Sequence, residues 1–321
     1  MPGAGAQEFL PTCRAGRHFV NAVGPIKKQK LDVKALRIRN TDVDWHLSFF
    51  AHVQEVFHTN NWRAWRDRGG WTTDYEVFAL LDGDRIVSTI GRSRMQLVSN
   101  GHAGVGYQLG AVGTLPHYRG RGLARRLMDE VVGELNYPDQ PIILYANDGV
   151  VDFYPRFGFR RVAQKQSVAE VSIAPAKMSA ARFDPADAAQ RSKLRNLFGR
   201  AMPIRGPLSA TNYHWIALWH LSGSSISAFW LPEFDALIAA TSKNERLIVH
   251  DVIAARPFDL SGALPQLIER QVTKVEFCFD TEDWWATARH SRLDDSDEPL
   301  FVRGASASIV GPVRLPSLAH T

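Results

Sequence analysis

The stretch HYRGRGLARRLMDE, at residues 117–130, constrains the fold of this chain more than any other segment. Apolar residues recur at every fourth position from Leu123 to Leu135, and this spacing predicts an amphipathic helix. Gly120 and Gly122 stand directly before that helix, in a segment that carries four arginines. Glycine allows backbone conformations that other residues avoid, and it lets a ligand approach the backbone closely. The segment therefore predicts a special turn at the start of a helix.

The turn and the arginines together indicate a site for a phosphate-bearing ligand. The first N–H groups of a helix have no intrahelical partner and lie at the positive end of its dipole, so anions bind there. Several successive N–H groups suit a diphosphate better than a single phosphate. The alternative is a tight turn into a helix with a solvated basic face, and the segment alone leaves both interpretations open. Positive charge would come from Arg119, Arg121, Arg125 and Arg126.

Two familiar phosphate motifs do not fit this segment. A P-loop needs four residues between its glycines and then Lys followed by Ser or Thr, and the chain has no such string. A dinucleotide fingerprint needs a third glycine where Arg125 stands. The preceding strand is also a late member of a mostly antiparallel series, whereas the dinucleotide motif follows the first strand of a βαβ unit.

Composition and charge restrict the class of protein. With 321 residues, 45% of them hydrophobic and 22% charged, the sequence predicts a globular protein of one large or two ordinary domains. A net charge of +5 favours anionic ligands. The basic residues are nevertheless spread out and lack a nucleic-acid-binding signature, so no nucleic-acid partner is predicted. No apolar run approaches the ~18 residues of a membrane span, so no membrane partner is predicted.

The cysteines and histidines give no sign of a metal or a disulfide framework. Cys13 and Cys278 are far apart in the sequence and suit neither purpose. The histidines of the N-terminal half lack zinc-ligand spacing, and no metal is predicted. The low cysteine content and the absence of a continuous apolar segment near the N-terminus predict a cytoplasmic location.

The order of predicted elements divides the chain into three parts. Residues 1–35 are rich in Gly, Ala, Pro and Lys and are expected to be an extension. Residues 36–165 alternate predicted strands and helices in a mixed α/β (α+β) arrangement. Residues 166–321 repeat a similar order, with helices predicted at 260–271 and 281–291 among others.

At this point two motifs resemble the GNAT superfamily of N-acetyltransferases. The string VGTLPHYRGRGLARRLM is similar to the glycine loop of Eis-like bacterial members, and it contains the Gln/Arg-x-x-Gly-x-Gly/Ala signature. A second signature follows a predicted strand and ends in Gly-Phe. The resemblance covers about residues 36–165. The residues that carry it are Arg119, Gly122 and Ala124 in the first motif, and Asn147, Phe153, Tyr154, Gly158 and Phe159 in the second.

The resemblance implies a GNAT fold with a splayed mixed sheet that binds acetyl-CoA as co-substrate. The pyrophosphate would lie on the N–H groups of residues 120–125. The pantetheine would pair with the strand end in the V-shaped gap between 110–114 and 142–147. The resemblance also implies that residues 166–321 are a second, degenerate GNAT-like domain. The implied coenzyme-binding residues are Val112, Gly113, Thr114, Arg119, Gly120, Arg121, Gly122, Leu123, Ala124, Arg125 and Asn147.

The resemblance further implies that Tyr154 lies near the coenzyme sulfur. A phenol with a pKa near 10 can donate a proton to a departing thiolate as a general acid. The alternative is that this tyrosine only packs beside Phe153 and Phe157.

The general base is not apparent, because residues 108–111 carry no carboxylate where many relatives have a glutamate. Proton removal would then pass through water, backbone carbonyls or a group from elsewhere. A lysine-like amine costs roughly 4.6 kcal/mol to deprotonate at pH 7, and an amine of pKa near 8 about 1.4 kcal/mol. The sequence therefore favours a weakly basic amine.

In Eis-like tandem enzymes the terminal carboxylate acts as the base. The mostly apolar segment 311–321 is accordingly expected to dock in a cleft and to bring Thr321 to the site, the alternative being a frayed end.

The acceptor is expected to be the primary amine of a small molecule, with the protein acting as a monomer or homodimer. Trp62, Trp65 and Trp71, with Asp67 and Asp74, suit a cationic amine, although the tryptophans could equally be core. Two other functions stay open: acetylation of a protein or peptide amine, and a catalytically silent acyl-CoA-binding regulatory role.

The second half is expected to bind no coenzyme. It carries ARPFDL at 255–260, without glycine, in the place of the glycine loop. An unrelated α/β lid is the competing interpretation of this half.

Overall fold

The computed structural model describes residues 32–135, 140–223, 225–293, 298–304 and 309–321. Within these ranges Val33–Thr321 form one compact unit. The predicted extension over residues 1–35 lies almost wholly outside the described residues, as does Cys13.

The N-terminal half supplies most of a first sheet and the helices that cover it. Its elements are β1 Lys34–Ile38, α1 Val43–Phe57, α2 Trp62–Asp67, β2 Tyr75–Asp82, β3 Arg85–Ser99, β4 His102–Thr114, α3 Leu123–Glu134, β5 Ile142–Tyr145 and β6 Arg160–Arg161.

The C-terminal half supplies most of a second sheet. Its elements are β7 Gln164–Ile173, β8 Ala181–Arg182, α4 Ala188–Phe198, β9 Leu208–Thr211, α5 His214–Leu221, β10 Ser227–Leu231, β11 Ala236–Lys243, β12 Arg246–Ala254, α6 Leu260–Ala263, β13 Val272–Phe277, β14 Arg289–Leu293 and β15 Leu300–Arg303.

The two sheets have the same strand arrangement, but the exchange of strands goes one way, because the first sheet takes β15 and β9 from the C-terminal half. The first sheet runs β1-β2-β3-β4-β5-β15-β6, with β9 added to β3, and the second runs β8-β10-β11-β12-β13-β7-β14. In each sheet the fourth and fifth strands pair in parallel, whereas the other neighbours are antiparallel. The sixth strand of the first sheet is β15, which lies near the end of the chain. The sixth strand of the second sheet is β7, which directly follows β6 in the sequence. The halves are therefore interleaved. The predicted fold class, mixed α/β with two GNAT-like sheets, is confirmed.

The larger apolar core joins residues from both halves. It contains Trp65 and Tyr75 from the first half and Trp215 and Val302 from the second. The indole of Trp65 also donates a hydrogen bond to the Trp215 carbonyl, at 2.7 Å. Because burial of apolar surface is the main stabilising term in folding, each half depends on the other. The boundary predicted at residue 165 stays a prediction.

Two of the predicted helices differ in the structure. The helix predicted at 281–291 is wrong: these residues form turns and then β14, whose backbone groups pair with β7. The helix predicted at 260–271 is shorter, because α6 ends at Ala263 and passes into a 3₁₀ turn that contains Pro265. Proline lacks the N–H that an α-helix would use there.

No helix among the described residues is long and apolar enough to span a membrane. The cytoplasmic location stays a prediction.

We expect the exchanged strand β15 to be a principal contributor to stability. Leu300 is fully buried, and its N–H donates to the amide oxygen of Gln164 at 3.2 Å. Leu300→Ala leaves a cavity in the shared core, so it should lower the free energy of unfolding by about 2–5 kcal/mol. Denaturant unfolding measures this. The control Met178→Ala, at a side chain that is 81% exposed, should stay within about 0.5 kcal/mol. Equal stabilities of the two variants would contradict a structural role for the exchange.

Candidate active site

The site begins where the parallel strands β4 and β5 separate. Their pairing runs from Tyr107↔Ile142 to Leu109↔Leu144 and goes no further. Beyond it β4 continues with β3 alone, through a bulge at which Ala111 has a φ of +48°. Because the bulge bends β4 away from β5, the V-shaped gap predicted between 110–114 and 142–147 is confirmed.

A cavity of about 750 Å³ occupies this gap and extends toward the second half. Three parts of the chain form its walls. The first part is the end of β4 with residues that follow β5, namely Ala111, Val112, Asn147 and Tyr154. The second part comes from the helices α1, α2 and α5, with Phe57, Trp62, Trp219 and His220. The third part is the last residues of the chain, with Arg314, Ser317, His320 and Thr321.

The segment 311–321 docks at the base of the gap, as predicted. The Gln108 amide donates to the Ala319 carbonyl at 3.0 Å, and the His320 ring stacks on Tyr145 with 3.8 Å between centroids. A Cβ at Gly110 would lie 2.6 Å from the Thr321 hydroxyl oxygen, so this close contact requires glycine. A catalytic role for Thr321 stays a prediction.

Tyr154 lines the cavity and is otherwise buried. Its ring packs against Phe153, Phe159 and Phe301 at centroid distances of 5.3, 6.2 and 5.6 Å. Burial raises the pKa of Tyr154 to about 12, so the phenol keeps its proton at neutral pH. Tyr154 therefore packs in the core and also borders the cavity. Its role as general acid stays a prediction.

The turn before α3 has the backbone that the sequence indicates. Gly120 and Gly122 have φ values of +72° and +79°, which other residues rarely adopt. Gly122 is the N-cap of α3, and no side chain caps this end of the helix. A Cβ at either glycine would meet open space. In the free protein, glycine is therefore required by the positive φ and not by crowding from neighbouring atoms. The first N–H groups of α3 are thus left for a ligand.

The arginines around this turn differ in their contacts. Arg119 donates to the Thr114 carbonyl at 3.0 Å, and the Arg121 guanidinium lies 5.5 Å from the centroid of Tyr118. Arg125 is exposed and pairs loosely with a carboxylate of its own helix. Arg126 instead donates to the carbonyl of Val33, the residue before β1, at 3.1 Å.

The other predicted coenzyme residues lie along β4 and beyond β5. Val112 and Asn147 line the cavity. Gly113 packs on α1, where a Cβ would come within 2.8 Å of Val56. Thr114 shares a hydrogen bond with Ser88 at 2.8 Å. At the helix start, Leu123 is buried and Ala124 is half-buried.

Of the three tryptophans predicted for the amine pocket, only Trp62 lines the cavity. Trp65 and Trp71 are core residues, which is the alternative that the sequence left open for them. Their positions along α2 and the following turn face the shared core. The two carboxylates predicted beside them, Asp67 and Asp74, bind Arg66 and Arg94 and do not line the cavity.

Sequence reasoning missed the cavity residues that come from the second half, above all Trp219 and His220. They lie on α5, more than sixty residues beyond Tyr154 in the chain. His220 Nε2 donates to the His320 carbonyl at 2.8 Å, and burial lowers the pKa of His220 below its ordinary value. The only sequence signal was a pair of histidines, His214 and His220, on an otherwise apolar helix.

The second sheet has the corresponding gap, but the chain itself fills it. Pairing of β12 with β13 ends at Val249↔Phe277. Beyond it the Met202 N–H donates to the Ala254 carbonyl at 2.9 Å. The helix that follows β12, α6, has only four residues, and the Asp259 carboxylate caps its first N–H groups.

Within the described ranges, no group of three or more His, Cys, Asp or Glu side chains is placed to hold a metal ion.

Comparisons with known proteins agree with this architecture. Residues 37–162 match the family described as acetyltransferase (GNAT) domain. No curated protein sequence matches the chain significantly. Among solved structures, the fold is similar to a conserved protein of unknown function from Enterococcus faecalis described as a probable N-acyltransferase, with a TM-score of 0.57 and 13% identity over 86% of this chain and 73% of that one.

Two further solved structures cover 86% of this chain at 16% identity. One is a GCN5-related N-acetyltransferase from Kribbella flavida, with a TM-score of 0.53 and 72% of its length covered. The other is Eis1 from Mycobacterium abscessus, with a TM-score of 0.51 and 74% covered. At these identities the likeness concerns the fold. The sequence match to the GNAT acetyltransferase domain thus covers residues 37–162, and the likeness of the fold extends over most of the chain.

Proposed function

We propose that the protein transfers an acetyl group from acetyl-CoA directly to the primary amine of a small molecule. The observation that carries this proposal is the cavity between the separated strands β4 and β5, lined by Tyr154 and by the end of the strand that leads to the uncapped start of α3. This arrangement offers one path for a long coenzyme and one pocket for an acceptor.

The coenzyme would lie across the end of β4 and the turn that follows. Beyond Leu109 the edge of β4 toward β5 is no longer paired, so its backbone groups can bind the amides of a pantetheine. The pyrophosphate would lie at residues 120–125, where free N–H groups and exposed arginines favour an anion. The thioester carbon would then come near Ala111 and Tyr154, which line the cavity.

The shape of the cavity supports a small acceptor over a protein. A volume of about 750 Å³ lies within the range of small-molecule sites. Residues of α5 and of the segment 311–321 form its far wall, which limits access for a folded polypeptide. Aromatic rings of Phe57, Trp62 and Trp219 suit the apolar parts of a ligand and the face of an ammonium group.

The chemistry would proceed by direct attack of the amine on the thioester. No cysteine among the described residues lines the cavity, which favours direct transfer over an acyl-enzyme. As the C–N bond forms and the C–S bond breaks, the Tyr154 hydroxyl would donate its proton to the departing thiolate.

The decisive experiment is incubation with acetyl-CoA and a panel of amines, followed by mass spectrometry of the products and measurement of thiol release. The proposal expects an acetylated small amine. Acetylation of peptides alone would favour the protein-acetylating alternative. Coenzyme binding without thiol release from any amine would favour a silent acyl-CoA-binding protein.

Gly122→Glu should abolish measurable coenzyme binding. The substitution strains a residue with positive φ and places a negative charge at the proposed pyrophosphate site. Calorimetry with acetyl-CoA measures the effect. Gly101→Glu is the matched control, because Gly101 also has a positive φ and open space but lies at the opposite end of β4. Equal affinities of a folded Gly122→Glu variant and the wild type would contradict this assignment.

Tyr154→Phe should lower turnover by roughly 10²-fold while leaving coenzyme affinity nearly unchanged, as expected for loss of a general acid. The ring and its contacts with Phe153 and Phe301 are retained, so the thermal midpoint should change little. Steady-state kinetics together with calorimetry test this. Near-normal turnover would restrict Tyr154 to packing.

Each chain should bind one coenzyme. The gap of the second sheet is occupied near Ala254, and the start of α6 is capped by Asp259, so neither pantetheine nor pyrophosphate finds free backbone groups there. Native mass spectrometry measures the stoichiometry. Two coenzymes per chain would contradict this interpretation of the second half.

A further inference from the structure

The reaction needs a group that removes a proton from the acceptor amine, and strand β4 supplies none. Residues 108–111 carry no carboxylate side chain, and the Gln108 amide is buried and donates to the Ala319 carbonyl. The remaining candidates are the polar groups that line the cavity from other parts of the chain.

His220 has the features of such a group. It lines the cavity together with Ala111 and Tyr154. Its Nε2 lies 2.8 Å from the His320 carbonyl oxygen, and because a carbonyl only accepts, Nε2 must carry the hydrogen. In the neutral ring the lone pair is then on Nδ1. Nδ1 has no hydrogen-bond partner among the described residues and is not sealed from the cavity.

Other titratable groups at the cavity are less suited to this role. The His320 Nε2 is enclosed by protein and has no partner, so an amine in the cavity cannot reach it. Burial raises the pKa of Tyr145 far above its ordinary value. Arg314 is a cation. Glu298 is the one carboxylate side chain among the described lining residues.

We propose that His220, contributed by the second half of the chain, is the general base of acetyl transfer. The proposal rests on the proposed function. Nδ1 takes one proton from the amine nitrogen, and the lone pair of the amine nitrogen forms the C–N bond with the thioester carbon. The C–S bond breaks, the sulfur takes the electron pair, and Tyr154 protonates it. The proton on His220 leaves to solvent and Tyr154 regains one, so the products are the amide and the free thiol.

The surroundings keep His220 neutral. Burial is the main cause of its lowered pKa, which the bond to the His320 carbonyl partly offsets. The neighbouring groups are His250, His320 and Arg314, all neutral or cationic, and Glu298 and Tyr154 line the same cavity. A lowered pKa means that the lone pair is present at pH 7 and is lost only as the pH falls through that pKa. A base of this kind suits a weakly basic amine.

The test compares His220→Gln with the control His250→Gln. His250 is also a partly buried histidine, but it does not line the cavity and binds Thr241 instead. With an alkylamine acceptor at pH 7, His220→Gln should lower kcat/KM roughly 10²-fold or more, and His250→Gln less than about 5-fold. With an arylamine, which is already neutral at pH 7, the loss in His220→Gln should shrink to below about 10-fold. An equal loss with both amines would mean that His220 only shapes the pocket and would overturn the proposal.

The pH dependence of kcat/KM and a variant of Glu298 provide a second test of the role of His220. In the wild type, kcat/KM with the arylamine should fall as the pH drops through the lowered pKa of His220, and this limb should be missing in His220→Gln. Glu298→Gln should keep it. Loss of activity and of the acid limb in Glu298→Gln, with His220→Gln unaffected, would assign the base to Glu298.

A last measurement does not depend on turnover. Nitrogen NMR of the histidines should show His220 with hydrogen on Nε2 and a free Nδ1, and deletion of residues 316–321 should abolish this fixed tautomer. Hydrogen on Nδ1 would overturn the proposal even in an active enzyme. A wild-type protein that acetylates no amine would contradict the proposed function separately, whatever the tautomer.

Discussion

The end of the parallel pairing between β4 and β5, after Leu109 and Leu144, is the constraint on which the rest of the site depends. Backbone groups that leave a sheet need other partners, since unpaired buried N–H and C=O groups are costly. The protein leaves this edge unpaired over 110–114 and opens a cavity beside it. The bulge at Ala111 turns β4 outward, and the chain then passes into the turn at Gly120. One bend thus aligns a free strand edge with an uncapped helix.

The second half of the chain completes the site instead of standing beside it. Strand β15 lies against β5, so it fixes the strand that forms the far side of the gap. Helix α5 brings Trp219 and His220 to the cavity, and the segment 311–321 closes its base. The placement of β15 and β9 explains how such remote parts are held to one geometry, because the first sheet is not complete without strands from the second half.

Local signals predicted the first half of this architecture well. The spacing from Leu123 and the glycines at 120 and 122 gave α3 and its turn, and the family resemblance gave the gap. The cavity could not be assembled from such signals, because His220 comes together with Tyr154 only through long-range packing. Periodicity also could not separate core from pocket: Trp62 and Trp65 are three residues apart on one short helix, yet one lines the cavity and the other is core. The helix predicted at 281–291 failed because strand pairing with β7 overrides local preference.

The two sheets show how one topology takes two roles. Both contain a parallel pair that separates at a bulge, at Ala111 in β4 and near His250 in β12. In the first sheet the gap stays open, and its helix begins with glycines that leave N–H groups free. In the second, Met202 pairs with the end of β12 and Asp259 caps the helix, so the same groups are satisfied internally. The difference between the two gaps therefore lies in the residues at the bend and at the helix start, because the strand order of the two sheets is the same.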